Sequence, residues 1–388
     1  MVQRTFKLKD FAQDISVAVR DAQVSPFDRF IGLEHYDSNE PVITRYTDTS
    51  LLTSSVKEFR ENDILIARRN VYLRRAGIVF FSGLTSGDSI VLRVYDDCEY
   101  RTGIPKEDAL KILPFILNSN AFWAYANKHA DGMNSKRISK DMLYDYEFDL
   151  PPLEEQRILA DKLWAAYRLK ESYKKLLTAT QEMVKSQFIE MFGVPENNHK
   201  KYPIIKIEEI VDSINYGTSK PATDCGEYIY LRMNNITYDG KLDLSDTKRI
   251  KISPEKNESV FVRKGDLIFN RTNTKEFVGK TTVFNLDEPM VIAGYIIRVV
   301  LKKEFTAEFV SGYLNSNYGK ALLRKMAKGA VHQANINAQE FQGIQILKVP
   351  KLEQEEYVKI LNQSEYVESE LRKSIEAIDQ VIKSLINS

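Results

Sequence analysis

Basic and amide side chains are concentrated in one short stretch of the first half of the chain. Residues 68–75 read Arg-Arg-Asn-Val-Tyr-Leu-Arg-Arg and follow directly on an apolar run. The guanidinium of arginine is a planar fork of donors that matches guanine O6 and N7 or a phosphate group, and the amide of asparagine can pair with adenine. A charged hairpin turn would have the same composition. The stretch is therefore a candidate nucleic-acid contact, with a surface turn as the alternative.

Three further segments have a similar composition and lie at corresponding places in the two halves. They are residues 131–137, 271–280 and 328–335, which combine lysine or arginine with amide side chains. Such side chains read base edges or hold phosphates. The recurrence favours DNA contacts over four unrelated surface turns. The candidate contacts in the four segments are Arg68, Arg69, Asn70, Tyr72, Arg74, Arg75, Asn134, Lys136, Arg137, Arg271, Asn273, Lys275, Lys280, Lys328, His332, Gln333 and Asn335.

Motifs that would support catalysis are missing from the sequence. It contains no Gly-x-Gly cofactor loop, no Gly-x-x-x-x-Gly-Lys-Ser/Thr phosphate loop and no Gly-x-Ser-x-Gly, and its four histidines are widely separated. The stretch Leu-Pro-Pro-Leu at 150–153 lacks the amide and the aromatic ring of the similar amino-methyltransferase motif. Cys98 and Cys225 have no metal-ligand spacing and are expected to be unpaired thiols. We expect no catalytic residue, metal or cofactor on this chain, and a nuclease or methyltransferase remains an alternative.

The apolar run before the arginines occurs twice in the chain. Residues 59–68 read Phe-Arg-Glu-Asn-Asp-Ile-Leu-Ile-Ala-Arg, and residues 262–271 read Val-Arg-Lys-Gly-Asp-Leu-Ile-Phe-Asn-Arg. Two other motifs recur in the same order, Leu-Asn-Ser-Asn at 117–120 and 314–317 and Pro-x-Leu-Glu at 151–154 and 350–353. The period is far longer than that of a solenoid repeat. The sequence therefore predicts a duplicated unit of one globular domain followed by one helix, in which the shared residues build the scaffold and the differing loops read the ligand.

The duplication divides the chain into four segments. Residues 1–150 and 194–350 are rich in short β-branched and aromatic runs separated by turns, which is typical of strands. Residues 151–193 and 351–388 are long amphipathic helices. The strands predicted in the first segment are Asp63–Ala67, Gly77–Phe81 and Ser89–Val94, with a helix at Ala109–Ala126. The first long helix is expected over 154–192, before Gly193 and Pro195, and the second over 353–387.

The two long helices carry apolar stripes at heptad spacing, which require a partner helix. The predicted seam consists of Leu159, Leu163, Tyr173, Leu177, Val184, Leu371, Ile375, Ile378, Ile382 and Leu385. We expect the helices to pair as an antiparallel coiled coil, which would relate the halves by a pseudo-two-fold axis. The alternative is that each helix packs on its own globular neighbour. A helix of ~35 residues is ~50 Å long, which exceeds the width of a small domain and matches about 15 base pairs of DNA.

Composition is that of a soluble globular chain, with 43% apolar and 28% charged residues and a net charge of +1. Residues 1–150 contain 20 basic and 22 acidic residues, whereas residues 193–350 contain 23 basic and 18 acidic residues. Nucleic-acid binding would therefore rely on local rather than total charge. The N-terminal sequence lacks the apolar stretch of a signal peptide, so a cytoplasmic location is expected.

The ordered set of motifs resembles the DNA-specificity (S) subunit of type I restriction–modification enzymes. Residues 30–35 are similar to a stretch found in many first recognition domains, and Pro-Pro-Leu-Glu-Glu-Gln at 151–156 is similar to the entry into the conserved helix. Residues 216–220, 231–236, 265–273, 278–280 and 333–337 look like successive signatures of a second group of recognition domains. Tyr216 and Lys220 in the first of these signatures are added to the candidate DNA contacts.

The resemblance implies an α+β fold, with two tandem α/β target-recognition domains separated by two long helices that pair as an antiparallel coiled coil. It implies sequence-specific binding of double-stranded DNA at a bipartite, asymmetric site. The implied partners are two methylation (M) subunits and two restriction (R) subunits. S-adenosylmethionine, ATP and Mg²⁺ would be held by those partners and not by this chain. A stand-alone DNA-modifying enzyme or a coiled-coil interaction scaffold is the alternative function.

Truncation tests the helix pairing. A fragment that ends after about residue 195 would leave the apolar stripe of the first helix exposed, so we expect two copies to pair and to prefer a symmetric DNA target. Sedimentation over a range of concentrations would measure this association. A fragment that stayed monomeric at high concentration would contradict antiparallel pairing.

Overall fold

The computed structural model describes residues 4–15, 17–19, 25–49, 56–133, 135–223, 225–330 and 333–387. The chain divides into two compact units. Unit 1 comprises residues 1–174 and 373–388, and unit 2 comprises residues 175–372. The boundary cuts both long helices, so each unit contains part of each.

Unit 1 combines short strands with helices on one side of its central sheet. Its strands are β1 (Arg4–Lys7), β2 (Ala12–Asp14), β3 (Ala18–Val19), β4 (Arg29–Ile31), β5 (Thr47–Asp48), β6 (Val56–Phe59), β7 (Ile64–Ala67), β8 (Ala76–Ile78), β9 (Gly83–Ser86), β10 (Ser89–Val94) and β11 (Glu147–Leu150). Its helices are α1 (Leu8–Phe11), α2 (Cys98–Thr102), α3 (Lys106–Ile116), α4 (Asn120–Lys128), α5 (Lys140–Tyr144) and the first part of α6 (Leu153–Phe192).

Unit 2 follows the same plan. Its strands are β12 (Ile204–Lys206), β13 (Val211–Tyr216), β14 (Tyr228–Leu231), β15 (Lys248–Ile250), β16 (Phe261–Val262), β17 (Leu267–Asn270), β18 (Thr272–Asn273), β19 (Thr281–Val283), β20 (Met290–Ile292), β21 (Ile296–Leu301), β22 (Lys328–Ala330), β23 (Gln333–Asn335) and β24 (Gln345–Leu347). Its helices are α7 (Ile207–Ile210), α8 (Pro254–Asn257), α9 (Ala307–Asn315), α10 (Asn317–Met326), α11 (Ala338–Gln342) and the first part of α12 (Lys351–Asn387).

The sheets of the two units have the same topology. An antiparallel sheet in the order β2-β10-β7-β8 in unit 1 corresponds to β13-β21-β17-β19 in unit 2. In the second sheet of unit 1, β3-β6-β9-β4-β5, the last four strands correspond to β16-β20-β14-β15 of unit 2, and β3 is an additional edge strand. Each sheet contains one parallel pair, β4 with β9 and β14 with β20. The mixed fold and the duplication confirm the α+β architecture expected from the sequence.

The repeated apolar run forms the centre of each antiparallel sheet. All four residues of β7 are buried, and their side chains alternate between two cores. Ile64 and Ile66 face the core that contains the helices, whereas Leu65 and Ala67 face the second sheet. In unit 2, Leu267 and Ile268 divide between two cores in the same way. A strand buried on both faces requires a continuous apolar run, which is what the sequence contains.

A buried aspartate closes the turn before each of these strands. Asp63 is 1% exposed; its carboxylate accepts a hydrogen bond from the backbone N–H of Arg60 at 2.7 Å and two from the Arg93 guanidinium, each at 2.7 Å. In unit 2, Asp266 accepts from the backbone N–H of Arg263 at 2.7 Å and from Arg298 Nε at 2.6 Å. The repeated Arg-x-x-Asp motif is therefore a structural turn.

The repeated Leu-Asn-Ser-Asn motif forms a corner between two helices. Ser119 Oγ accepts the backbone N–H of Phe122 and caps α4, and Ser316 caps α10 in the same way. Asn118 donates to the carbonyl of Ala76 at 3.0 Å, and Asn315 donates to that of Thr281 at 2.9 Å, which ties each corner to the last strand of its sheet. The single helix predicted over Ala109–Ala126 is therefore wrong, because this capped corner divides it into α3 and α4.

The two long helices pair antiparallel. Lys170 of α6 contacts Asp379 of α12 in unit 1, and Gln181 of α6 contacts Glu368 of α12 in unit 2, so residue numbers rise on one helix as they fall on the other. The helices begin at residues 153 and 351 and end at residues 192 and 387, close to the predicted bounds. Every predicted seam residue is buried or half-buried. Gly193, which has a positive φ of 76°, ends α6 as expected.

In each unit, one loop residue and one residue of a long helix form an ion pair, and the signs of the two charges are exchanged between the units. In unit 1, Glu40 accepts from Lys170 Nζ at 2.7 Å, and the same lysine lies 2.5 Å from Asp379. In unit 2, Lys241 forms an ion pair with Glu368, which also accepts from Gln181 at 3.0 Å.

These two clusters are equivalent in position. Lys170 and Glu368 are each the eighteenth residue of their helices. Glu40 follows Asn39, and Lys241 follows Gly240, and both preceding residues have a positive φ. A glutamate on the loop and a lysine on the helix in unit 1 therefore correspond to a lysine on the loop and a glutamate on the helix in unit 2.

Charge reversal tests this contact in unit 2, where Glu368 also contacts the uncharged Gln181 and lies 3.9 Å from Arg372. Lys241→Glu should lower the free energy of unfolding by about 2–3 kcal/mol, less than the ~3–5 kcal/mol of a fully buried pair because Lys241 is partly exposed. The double variant Lys241→Glu/Glu368→Lys should recover part of the loss, because the ion pair is restored but the new lysine lies beside Arg372. Chemical denaturation of the four proteins in the cycle measures the coupling, and purely additive effects would show that the pair is not specific.

Candidate nucleic-acid interface

The structure brings the arginine-rich segment of unit 1 against the polar loop 131–137. The backbone N–H of Asn70 donates to the carbonyl of Lys136 at 2.7 Å, and that of Ile138 donates to the carbonyl of Arg68 at 3.0 Å. Arg69 Nε donates to Ser135 Oγ at 2.8 Å. Two segments that are more than sixty residues apart in the sequence therefore form one surface, which we name loop cluster 1 (residues 68–75, 131–133 and 135–137).

Unit 2 contains the corresponding surface, which we name loop cluster 2 (residues 271–275, 328–330 and 333–335). Strands β22, β23 and β18 form a small antiparallel sheet, in which Thr272 is opposite Asn335. The backbone N–H of Ile336 donates to the carbonyl of Arg271 at 2.9 Å, as Ile138 does to Arg68. Arg271 thus occupies the position of Arg68.

A hairpin turn lies beside the shared arginine in both clusters. The backbone N–H of Arg68 donates to the carbonyl of Asp88 at 2.9 Å, and that of Arg271 donates to the carbonyl of Tyr295 at 2.9 Å. Each turn joins a strand of the second sheet to an inner strand of the antiparallel sheet. The turn in unit 1 joins β9 to β10, and the turn in unit 2 joins β20 to β21. Three segments therefore meet in each cluster, and only two of them have the basic and amide composition that marks them in the sequence.

About half of the candidate side chains project into solvent. In loop cluster 1 these are Arg69, Tyr72, Lys136 and Arg137, and in unit 2 they are Tyr216, Lys220, Lys275, Lys328 and Gln333. Lys328 also forms an ion pair with Glu340 at 2.6 Å, although its side chain remains 80% exposed. These residues are the ones whose side chains are available to an external ligand.

Arg74 and Arg75 instead hold the fold of loop cluster 1. Arg75 donates to the carbonyls of Leu33 and Arg69 at 2.8 and 3.0 Å, and burial lowers the pKa of its guanidinium. Arg74 has a positive φ of 51° and donates to Asn120 Oδ1 at 3.0 Å. Both are half-buried, so their guanidinium groups are already occupied within unit 1.

Asn70, which is also half-buried, has a similar structural role. Its φ of 55° is left-handed, a conformation that asparagine adopts more readily than most residues. Its Oδ1 accepts a hydrogen bond from Ser135 Oγ at 3.2 Å. The residue therefore shapes the turn and links it to the second loop.

Several candidates in unit 2 are likewise internal. Lys280 is only 8% exposed, donates to the carbonyl of Met233 at 2.5 Å, and has its pKa lowered by burial. Asn273 donates to Asn270 Oδ1 at 2.9 Å, and Asn335 Oδ1 accepts from Thr272 at 3.3 Å.

Arg271 of loop cluster 2 stacks on Tyr216, and both side chains are partly exposed. The guanidinium lies over the ring of Tyr216 at 4.9 Å from its centroid, and the tyrosine hydroxyl accepts from the backbone N–H of Ala338 at 3.0 Å. This stacking orients both groups at the surface. Asn134 and His332, which are also candidate DNA contacts, lie outside the described residues.

A surface cavity of about 520 Å³ beside loop cluster 1 is lined by Arg68, Asp131, Gly132, Ser135, Arg137, Ile138 and Ser139. Within the described ranges no group of three or more His, Cys, Asp or Glu residues could hold a metal ion. Among the helices described, none is both long and apolar enough to cross a membrane.

Comparison with known proteins gives the same assignment as the motifs. Residues 197–379 match the family model for the type I restriction modification DNA specificity domain. The EcoKI specificity subunit of Escherichia coli K12 is 21% identical over 307 residues, which are 73% of this chain and 66% of that protein. The matched region thus spans slightly less than two thirds of that relative.

Two solved structures share the fold. A chain from a type I restriction–modification system, described for its complex assembly and conformational transition, superposes with a TM-score of 0.58 at 17% identity and covers 99% of this chain and 96% of that one. The type I S subunit from M. genitalium superposes with a TM-score of 0.51 at 13% identity and covers 99% of this chain and 95% of that one.

The fold and the loop clusters define a duplicated α+β protein that presents one polar, arginine-containing surface on each unit. In sequence and fold the chain is similar to DNA-specificity subunits of type I restriction–modification systems, and the family model covers residues 197–379 of it.

Two arginines of loop cluster 1 provide a matched test of structural against exposed roles. Arg75→Ala would leave the part-buried carbonyl of Leu33 and the exposed carbonyl of Arg69 without their donor, so we expect the free energy of unfolding to fall by about 1–3 kcal/mol. Arg69→Ala removes a side chain that is 45% exposed and should change stability by less than about 0.5 kcal/mol. Urea denaturation measures both, and equal losses would contradict the distinction.

Proposed function

We propose that this chain is the sequence-specific DNA-binding subunit of a type I restriction–modification complex. Loop clusters 1 and 2 would each read one half of a bipartite, asymmetric site in double-stranded DNA. Residues 1–150 and 194–350 would be the two target-recognition domains. The helical segments 151–193 and 351–388 would space them. The protein would act in the cytoplasm without catalytic residues of its own.

The two loop clusters share a backbone frame but differ in their side chains, and this difference supports the proposal. The same backbone hydrogen bonds hold Arg68 in unit 1 and Arg271 in unit 2, but the side chains around these two arginines differ. Arg69 corresponds to Thr272, and Arg137 corresponds to Asn335. A shared scaffold with different polar groups is what an asymmetric site requires, because base identity is read by the donors and acceptors of individual side chains.

The long helices have exposed apolar side chains that suit a protein partner. In unit 1 these are Leu169 and Val381, which are 46% and 52% exposed, and in unit 2 they are Leu176, Met183 and Val367, which are 49%, 50% and 43% exposed. Leu169, Leu176 and Met183 follow one another at heptad spacing on α6. Such a stripe is typical of a face that packs against another helix.

We propose that this stripe docks two methylation subunits, and that two restriction subunits join the complex for cleavage. S-adenosylmethionine would be bound by the methylation subunits, and ATP and Mg²⁺ by the restriction subunits.

Methylome sequencing tests the proposed function. Deleting this gene from the source cell should abolish methylation at one bipartite motif, because the methylation subunits would lose their sequence-reading partner. Complementation with the wild-type gene should restore it. Arg69→Ala/Lys136→Ala, which removes two exposed cations of loop cluster 1, should restore it only weakly, because cationic contacts to phosphate dominate affinity.

The matched control is Lys256→Ala, which removes an exposed cation on α8 outside both clusters and should restore full methylation. An unchanged methylome after deletion would contradict the proposal. Methylation or cleavage of DNA by the purified chain alone would instead identify an enzyme.

A further inference from the structure

We propose that Asp88 holds Arg69 and Arg137 as a guanine-reading pair, so that the half-site read by unit 1 contains a G·C pair on which binding depends. This inference rests on the proposed function and names one base pair that loop cluster 1 recognises. Asp88 lies on the turn between β9 and β10, the third segment of the cluster, and would be a positioning residue.

The carboxylate of Asp88 lies between two exposed guanidinium groups. Its Oδ2 is 3.8 Å from Arg69 Nη1, and its Oδ1 is 3.4 Å from Arg137 Nη2. The aspartate side chain is 25% exposed, whereas those of Arg69 and Arg137 are 45% and 47% exposed. The carboxylate is therefore the recessed member of the group, and the guanidinium groups extend past it toward solvent.

Backbone contacts keep the three residues together. The backbone N–H of Arg68 donates to the carbonyl of Asp88, and its own carbonyl accepts from Ile138. Arg69 and Arg137, the neighbours of Arg68 and Ile138, form a β-bridge. Arg69 Nε is fixed by Ser135 Oγ at 2.8 Å. The three side chains consequently converge from three separate segments of the chain.

An arginine held in this way retains donors that point outward. Each guanidinium has five N–H donors, and the contacts with Asp88 and Ser135 engage only some of them. A pair of parallel donors matches O6 and N7 of guanine in the major groove, which is the commonest specific contact of arginine with a base. A carboxylate that limits the rotation of both side chains favours this oriented contact over a diffuse interaction with phosphate.

Unit 2 lacks this charged group at the equivalent place. Tyr295 occupies the position of Asp88, and Thr272 and Asn335 occupy those of Arg69 and Arg137. The hydroxyl of Thr272 donates to Asn335 Oδ1 at 3.3 Å. The dependence on guanine is therefore expected in one half-site only.

The test uses the complex that contains the full-length chain, purified from source cells, and a pool of random duplex DNA. Sequencing of the bound fraction should yield a bipartite motif with a G·C pair in one half. Arg69→Ala and Arg137→Ala should reduce discrimination at that half by roughly 5- to 150-fold and leave the other half unchanged. Gln333→Ala, an exposed change in loop cluster 2, should affect only the other half.

Asp88→Asn tests the positioning role. Loss of the carboxylate should lower discrimination at the same base pair, while affinity for random duplex DNA stays the same or rises because a negative charge is removed. A role in folding alone would instead lower both. Asp96→Asn is the control, because it removes an exposed carboxylate of unit 1 that lies outside both loop clusters, and it should change neither quantity.

Arg69→Lys gives a second, surface-exposed variant that keeps the charge but loses the planar fork, so it should retain affinity for random DNA and lose the preference for guanine. The inference is overturned if Asp88→Asn behaves like Asp96→Asn, or if the two arginine variants leave the base preference intact. A wild-type complex that enriches no sequence would instead overturn the proposed function.

Discussion

The buried carboxylate that closes the turn before the central strand is the constraint on which the rest of each unit depends. Asp63 connects its own turn to Arg93 on β10, and Asp266 connects its turn to Arg298 on β21. An ion pair of this kind adds little net stability, because both charges lose water, but removal of one partner costs about 3–5 kcal/mol. Its effect is to fix the alignment of two neighbouring strands. The shared arginine of each loop cluster lies just beyond the other end of the same strand.

The hydrogen-bonded frame is the same in both units, whereas the loops attached to it differ. The turn, the four-stranded sheet and the helix corner at Ser119 or Ser316 recur with the same hydrogen bonds in both units. The loops that extend from this frame share backbone contacts at Arg68 and Arg271, but most of their other side chains differ. A charged group around Asp88 in one unit therefore corresponds to an uncharged group around Tyr295 in the other.

Sequence patterns predicted the features that are determined locally or by repetition. The continuous apolar run from Ile64 to Ala67 indicated a central strand, and heptad spacing indicated the paired helices. Composition could not separate Arg75 from Arg69, because the difference arises from contacts with Leu33 and with a distant loop that no local pattern records. Lys280 was predicted as a DNA contact for the same reason, although its side chain is buried and donates to the carbonyl of Met233. Asp88 was not identified, because a single aspartate in a hairpin turn is an ordinary residue until the fold places two arginines beside it.

The reversed ion pairs between loop and helix have a consequence for how such proteins can change over generations. If a recombination event copied the first globular segment into the place of the second, Glu40 would meet the carboxylate of Glu368 instead of the ammonium group of Lys170. The opposite replacement would bring Lys241 against Lys170. New combinations of recognition domains would therefore fold best when the loop residue is inherited together with its helix. The unit of exchange in this lineage would then be the domain with its own helix.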